Sequence, residues 1–217
     1  MIVDLNLHDK TVIVVGGGNE AQKRINSLLK QDCEIIVISD SVNSQINKLV
    51  KAKKIKLKKQ KIHNTKFIST FKPNMIITTT NDKNLNQKII NSAKRSKIIA
   101  YSSDNPEDSD FSNPAIIDFE NMIQIAIFTG GRSPAMSKKI RIQSEKIFKK
   151  IITKEDIDQI KIQKIARKLA KEIISTQTQR REYLRSIIND NEVEQLIKDG
   201  QLKKAERRAI TILRNWK

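Results

Sequence analysis

Hydrophobic residues follow two alternating patterns along the first hundred residues of the chain. Short apolar runs such as "TVIVV" are typical of buried strands, whereas apolar positions spaced as in "NEAQKRINSLLKQ" are typical of a helix. Strands are predicted at Thr11–Val15, Glu34–Ser39, Ile55–Lys59, Met75–Thr79 and Lys97–Tyr101, with helical stretches between most of them. Because strands that alternate with helices form a parallel sheet with helices on both faces, the predicted fold class is α/β.

The pattern changes after the fifth predicted strand. The stretch "SSDNPEDSDFSNP" is polar, acidic and holds two prolines, which predicts a loop. Two strand-like runs, "AIIDFE" and "MIQIAIFT", follow and are split at Glu120-Asn121, a predicted turn. After "GGRSP" the pattern is helical, and several amphipathic helices rich in Lys and Arg are predicted at the end, with a break near Gly200. We predict an α/β domain at residues 1–112, a short β segment at 113–150 and a small helical domain at 151–217.

The charge of the chain is strongly positive, with 42 Lys and Arg against 24 Asp and Glu. A net charge of +18 favours a polyanionic partner: a nucleic acid, an anionic membrane surface or an acidic small molecule. The alternative is that many lysines simply solvate the surface, as in "KAKKIKLKKQK", which alternates like an edge strand. Aromatic residues make up only 4%, which argues against single-stranded nucleic acid, so no nucleic-acid partner is predicted.

Apolar runs and cysteine content indicate the compartment. No run approaches the length that spans a bilayer, and the N-terminus lacks the pattern of a secretory signal. Cys33 is the single cysteine, which excludes an internal disulfide and a cysteine-based metal cluster. We therefore expect a cytoplasmic protein without a membrane partner.

A glycine-rich turn after the first strand has the spacing Gly16-x-Gly18-x-x-Ala21. This is the dinucleotide-binding fingerprint with alanine in the third position. Gly16 allows the tight turn, Gly18 lets the backbone approach a pyrophosphate, and Ala21 lets the helix pack closely on the strand. The N–H groups at the start of the helix then favour an anion.

An acidic residue, Asp40, ends the second strand 22 residues after Gly18. A carboxylate there accepts hydrogen bonds from a ribose diol and repels a 2′-phosphate, which favours NAD over NADP. The alternative is that Asp40 caps the following helix. The loop "TTTND" after the fourth strand is predicted to face the same crevice, unless Asn81 or Asp82 only caps a helix.

Candidate acid–base residues are few. His8 and His63 lie away from the carboxyl ends of the strands and are predicted to be surface residues. No histidine pair has the spacing of a metal site, so no metal is predicted. Asp104, just past the fifth strand, is the best-placed acid or base, although a loop aspartate is more often only solvated or part of a turn.

Four segments in order resemble one known family: "VIVVGGGNEAQKRINSLLKQDCEIIVIS", "TTTNDKNLNQKI", "SSDNPEDSDFSNPAIID" and "IQIAIFTGGRSPAMSKKIR". Together they are similar to the precorrin-2 dehydrogenase / sirohaem synthase N-terminal family, over roughly residues 8–145. The resemblance implies a Rossmann-like domain, a β segment that mediates dimerisation, and a helical domain, assembled as a homodimer. It further implies oxidation of precorrin-2 to sirohydrochlorin by NAD⁺, with insertion of ferrous iron in some members.

The resemblance also assigns roles to residues. Asp104 matches the family's key aspartate, a general base, and Ser133 matches a serine that faces the tetrapyrrole. Arg132, beside Ser133, suits the carboxylates of such a substrate because a guanidinium pairs with a carboxylate in two hydrogen bonds. Tyr101 and Ser137 depart from the family pattern. The implied NAD contacts are Gly16, Gly18, Asn19, Glu20, Asp40, Ser41, Thr80 and Asn81.

Three alternatives to a dehydrogenase alone remain open at this point. The first is a bifunctional enzyme that also inserts iron into sirohydrochlorin, although no obvious set of metal ligands is present. The second is a non-catalytic module that senses NAD and binds nucleic acid through its basic helices. The third is a scaffold that delivers a tetrapyrrole without turnover.

Overall fold

The computed structural model describes residues 2–216 and divides into two compact units. The first unit ends at Asn113 and the second begins at Pro114. A separate β segment at 113–150 and helical domain at 151–217 stay a prediction. Among the described residues, no helix is long and apolar enough to cross a membrane.

The first unit contains a five-stranded parallel sheet in the order β3-β2-β1-β4-β5. This confirms the predicted Rossmann-like α/β fold. The charged strand β3, with its alternating lysines, is an edge strand, as the sequence predicted. The strands are β1 Thr11–Val15, β2 Glu34–Ser39, β3 Lys56–Lys59, β4 Met75–Thr78 and β5 Ile99–Ser102.

Helices cover both faces of this sheet and create two apolar cores. Ile25 of the first helix packs on one face with Val12 and Val14, while Ile89 and Ile90 of the fourth pack on the other. The helices are α1 Asn19–Leu28, α2 Ser44–Lys51, α3 Lys66–Phe71 and α4 Lys83–Arg95. No helix was predicted at α3, because six residues are too few to display a helical period.

The outer edge of β5 is covered by the loop that follows it rather than by another strand. The backbone N–H of Asp110 donates to the carbonyl of Ala100 at 2.8 Å, and the Asp110 carboxylate accepts from the Ala100 N–H at 2.8 Å. The hydroxyl of Ser109 accepts from the N–H of Ser102 at 2.9 Å. The free backbone groups of the edge strand are thus satisfied within the same loop that carries Asp104.

The second unit begins with an antiparallel hairpin of β6, Ala115–Phe119, and β7, Ile123–Ile127. Glu120 and Asn121 both have positive φ, as a tight hairpin turn requires, which confirms the predicted turn. Five helices follow, with a break at Gly200 as predicted: α5 Pro134–Ile151, α6 Lys154–Ile173, α7 Gln177–Ile188, α8 Asn191–Lys198 and α9 Leu202–Arg214.

Helices α6 to α9 share a core centred on Tyr183. Its ring is fully buried and lies edge-on to Trp216. Its hydroxyl donates a hydrogen bond to the carbonyl of Ala209 at 3.0 Å. Burial raises the pKa of Tyr183 to about 12. This residue therefore ties α7 to α9 through both apolar contact and a buried hydrogen bond.

Candidate functional site

Gly16 makes the turn out of β1 at a position that excludes other residues. Its φ is +114°, and a Cβ there would lie 2.5 Å from the hydroxyl oxygen of Thr79. Its N–H donates to the carbonyl of Ile38 at 3.0 Å, while the N–H of Thr79 reaches the carbonyl of Val15 at 2.8 Å. The turn is thus packed directly on the loop after β4.

Gly17, to which the general fingerprint gives no role, is required by the fold. A Cβ on Gly17 would overlap the carbonyl oxygen of Ser41 and lie 2.9 Å from the Cα of Val42. The carbonyl of Gly17 also accepts from the N–H of Asn43 at 2.9 Å. Sequence reasoning missed this role because the contact is made with a segment more than twenty residues further along the chain.

Gly18 has free space at its Cβ position, whereas Gly16 and Gly17 are crowded there. A Cβ on it would meet no atom within 4 Å, and as the residue preceding α1 it provides no side-chain cap. Asn19 is exposed beside it. The first N–H groups of α1 are therefore accessible to an anion, with no Cβ in the way.

Glu20, a predicted NAD contact, is engaged in ion pairs in the structure. Its carboxylate lies 2.5 Å from Nη2 of Arg24 and 3.1 Å from Nζ of Lys23. Partial burial raises the pKa of Glu20, but the hydrogen bond from Lys23 and the charge of Arg24 outweigh it and lower the pKa overall. The guanidinium carbon of Arg24 lies 4.9 Å from the centre of the Tyr101 ring. The tyrosine that departs from the family pattern at this position therefore packs against Arg24.

Asp40 and Ser41 lie at the carboxyl end of β2, next to the glycine turn. Asn43, not Asp40, caps α2, since its side chain accepts from the N–H of Ile46 at 2.9 Å. The alternative role of Asp40 as a helix cap is therefore wrong. The exposed Asp40 carboxylate accepts only a long contact from the Ser41 hydroxyl, at 3.4 Å, and is available to a ligand.

The loop after β4 is organised by its own side chains. Asp82 caps α4 by accepting from the N–H of Leu85 at 2.9 Å, as one of the alternatives predicted. The hydroxyl of Thr80 donates to the side-chain oxygen of Asn86 at 2.6 Å, and Asn81 is exposed at the tip. Of the two predicted NAD contacts in this loop, Thr80 is partly committed to the protein.

Asp104 is held by two hydrogen bonds to the same oxygen. Its Oδ1 accepts from the hydroxyl of Ser102 at 2.6 Å and from Nδ2 of Asn86 at 3.0 Å. The hydroxyl of Ser102 also lies 2.9 Å from that of Thr78, which connects the ends of β4 and β5. Within residues 2–216, no hydrogen bond is made to Oδ2, and the residue is exposed. One oxygen is therefore fixed and the other is free to take a proton.

Asn86 is the residue of this network that sequence reasoning missed. It is 1% exposed and lies in register with Ile89, Ile90 and Ala93 on the buried face of α4. An amide in a row of apolar positions signals a buried hydrogen bond, because an unpaired amide in that place is costly.

The predicted substrate residues Arg132 and Ser133 belong to the second unit. Ser133 caps α5, its hydroxyl accepting from the N–H of Met136 at 3.2 Å, and Arg132 is exposed. Ser137 is buried and its hydroxyl lies 2.9 Å from that of Thr129, so this departure from the family pattern secures the turn before α5. His8 and His63 are exposed, as predicted.

These features define a dinucleotide-binding protein of the Rossmann type. The open face of Gly18, the uncapped start of α1 and the free carboxylate of Asp40 suit the pyrophosphate and the ribose of such a cofactor. The chain belongs to the family described as putative NAD(P)-binding, whose model matches residues 3–115. This confirms the predicted class of cofactor, a nicotinamide dinucleotide.

Relatives confirm the resemblance noted in the sequence. The chain is 26% identical over 203 residues to a siroheme synthase of Mannheimia succiniciproducens, covering 93% of this chain and 40% of that protein. It is 28% identical over 139 residues to a precorrin-2 dehydrogenase of Priestia megaterium, covering 65% of this chain and 66% of that protein. The chain thus spans less than half of the siroheme synthase.

The fold also matches a solved structure. That structure, titled SirC, precorrin-2 dehydrogenase, superposes with a TM-score of 0.70 at 22% identity, covering 96% of this chain and 99% of the other. At this identity the match supports the fold alone. No group of three or more His, Cys, Asp or Glu residues among the described part of the chain is arranged to hold a metal ion.

Proposed function

We propose that the protein is an NAD-dependent dehydrogenase that oxidises precorrin-2 to sirohydrochlorin. The observation that carries this proposal is Asp104, a carboxylate with one oxygen fixed by Ser102 and Asn86 and the other free. Asp104 lies at the same edge of the sheet as the glycine turn. The names of the relatives, siroheme synthase and precorrin-2 dehydrogenase, supply the substrate.

Dehydrogenation removes a hydride and a proton from neighbouring atoms of the substrate. A nicotinamide dinucleotide, when bound, supplies the hydride acceptor. Asp104 takes the accompanying proton on Oδ2 as general base. Asn86 and Ser102 keep the carboxylate oriented by donating to Oδ1, so its free oxygen points consistently in one direction.

The preference for NAD over NADP is assigned to Asp40. Its carboxylate is exposed beyond β2 and is not used to cap α2, so it is available to the two hydroxyls of a ribose. A 2′-phosphate in that place would meet a like charge. The proposed turn that binds the pyrophosphate is made by Gly16, Gly18 and Asn19, and further contacts with NAD are assigned to Ser41, Thr80 and Asn81. The carboxylate of Glu20, also proposed to contact NAD, is ion-paired with Arg24.

The substrate is an acidic tetrapyrrole, and the second unit is proposed to recognise it. Arg132 is exposed beside the start of α5 and has no ion pair within the described residues. Its guanidinium suits a substrate carboxylate. Ser133, although it caps α5 as an acceptor, retains its hydroxyl hydrogen for a further contact.

We further propose a homodimer, formed through the hairpin and α5. This part of the second unit, which includes the 18-residue helix α5, carries several large exposed apolar side chains. Exposed apolar surface of this kind marks an interface with another protein. The single free Cys33 fits a reducing, cytoplasmic setting, which is also part of the proposal. The exposed residues are Ile116, Phe128, Met136, Ile142, Ile147 and Ile151.

The proposal is tested with purified protein, precorrin-2 and NAD⁺, following NADH together with the spectrum of the macrocycle. We expect Asp104→Asn to bind NAD⁺ as the wild type does and to lower kcat by about 100-fold or more. Glu107→Gln, in the same loop and exposed, is the matched control and keeps its rate. Absence of NADH despite normal NAD⁺ binding overturns the proposal. Ferrous iron added to sirohydrochlorin tests the alternative bifunctional activity separately.

A further inference from the structure

A cleft of about 320 Å³ lies between α6 and α7, within the second unit. Residues 174–176 alone connect the two helices. The apolar part of its lining comes from Ala170, which is fully buried, and Leu184, which is half-buried. The cleft is therefore an open pocket with an apolar floor, set in a helical bundle whose core is centred on Tyr183.

Four cations surround this floor. Arg167 and Lys171 lie one turn apart on α6, and Arg180 and Arg181 lie in the first turns of α7. No carboxylate lines the cleft. No carboxylate oxygen of residues 2–216 approaches any of the four within the 4.0 Å of an ion pair.

Some other cations of the same unit are paired with carboxylates, unlike these four. Arg208 lies 2.8 Å from the carboxylate of Asp190, and Lys161 lies 2.8 Å from that of Asp158. Four unpaired positive charges around one concavity repel each other, and that repulsion is relieved when an anion binds between them. The start of α7, where two of the arginines lie, adds the partial positive charge of a helix N-terminus.

We propose that this cleft binds a compact multivalent anion that carries several phosphate or carboxylate groups. Three guanidinium groups offer paired hydrogen bonds to such groups, and the ammonium of Lys171 adds a fourth charge. The volume suits a small molecule, and the apolar floor suits an organic body. No aromatic side chain lines the cleft, so it lacks the stacking surface of a single-stranded nucleic-acid site. The proposal does not depend on the dehydrogenase activity.

Two probes distinguish the source of the anionic groups: inorganic tripolyphosphate and a porphyrin with eight carboxylates. Binding to the full chain is measured by calorimetry for wild type, for Lys171→Gln with Arg181→Gln, and for Lys203→Gln with Arg207→Gln. The second pair removes the same two charges from exposed positions of α9, outside the cleft. We expect the cleft variant to weaken binding at least about tenfold, and the control to stay within about twofold.

Binding of either probe that is lost only in the cleft variant supports the proposal, and the probe that binds identifies the anionic group. Equal losses in both variants overturn it, because they indicate attraction to net charge alone. It is also overturned if neither compact anion binds while single-stranded oligonucleotides bind more tightly with length. Hydrogen exchange on the wild type provides a measurement without mutation: added probe must protect residues 167–184, and protection confined to other segments contradicts the proposal.

Discussion

The side-chain amide of Asn86 donates a hydrogen bond to the carboxylate of Asp104 across 3.0 Å, from α4 to the loop after β5. The orientation of the amide is fixed, because its oxygen accepts a hydrogen bond from the hydroxyl of Thr80 at 2.6 Å and its nitrogen donates a second one to the backbone carbonyl of Thr80. A buried amide thus fixes the orientation of an exposed carboxylate. It links the loop predicted to contact the cofactor with the loop that carries the proposed base.

Replacing Asn86 tests this positioning role. We expect Asn86→Ala to lower kcat on the order of 10- to 100-fold, because a hydrogen bond to a charged group is lost. The dissociation constant for NAD⁺ should rise less than kcat falls, because Asn86 also holds Thr80 in the loop predicted to contact the cofactor. The matched control is Asn84→Ala, at an exposed position of the same helix. A loss of thermal stability with unchanged kcat would instead mean that Asn86 only supports the fold.

Adjacent glycines are expected to fail in different ways. Gly17→Ala forces a Cβ into the backbone of residues 41 and 42, so it should destabilise the protein by about 1–3 kcal/mol. Gly18→Ala meets no protein atom and should leave the free energy of unfolding within about 0.5 kcal/mol of wild type. Its Cβ instead occupies the open face of the turn, so NAD⁺ binding should weaken about tenfold. Chemical denaturation and NAD⁺ titration of both variants check this contrast, and identical behaviour of the two contradicts it.

Asp40 is expected to set the choice between cofactors. Asp40→Ser removes the charge that opposes a 2′-phosphate, so the ratio of the NADP⁺ to the NAD⁺ dissociation constant should fall about tenfold or more. Titration with both dinucleotides measures this ratio. Asp4→Asn removes one charge at an exposed position outside the sheet and should leave the ratio unchanged. If Asp40→Ser also leaves it unchanged, Asp40 does not contact the ribose.

Tyr183 gives the second unit a dependence on alkaline pH. Its pKa is about 12 in the folded protein, against 10 as the ordinary value, because burial favours the neutral phenol. Above pH 10 the unfolded chain binds fewer protons than the folded one. The contribution of Tyr183 to stability is therefore complete below pH 10 and is lost between about pH 10 and 12. Chemical denaturation at pH 9 and pH 11.5 should show a smaller loss of stability for Tyr183→Phe than for wild type.

The parallel sheet and the glycine turn were predictable because they rest on local patterns. Runs such as Thr11–Val15 indicate a strand by themselves, and the spacing of Gly16 and Gly18 has a direct structural meaning. The position of Asp104 past β5 made it the best-placed acid or base, but its role as general base came from the family resemblance and stays a prediction. Helix α3 was not predicted because its six residues show no period.

Other parts of the site depend on contacts between distant segments. The need for Gly17 arises from the backbone of Ser41 and Val42, which no local pattern indicates. Asn86 was detectable in principle, as a polar residue on an apolar helix face, but its partner Asp104 lies 18 residues away. The proposed roles of Arg132 and Ser133 stay predictions, since the structure assigns Ser133 the capping of α5.

The segment Ser109-Asp110, which covers the outer edge of β5, restricts which changes of sequence the protein can accept near Asp104. It completes the hydrogen bonds on the outer side of β5, so it takes the place of a sixth strand and protects this edge of the sheet from pairing with another chain. Asp104 lies near the start of the same loop, a few residues before Ser109. Any change around Asp104 that shifts Ser109 or Asp110 would therefore expose the outer edge of β5. The proposed base and the residues that protect this sheet edge are therefore neighbours in one short segment.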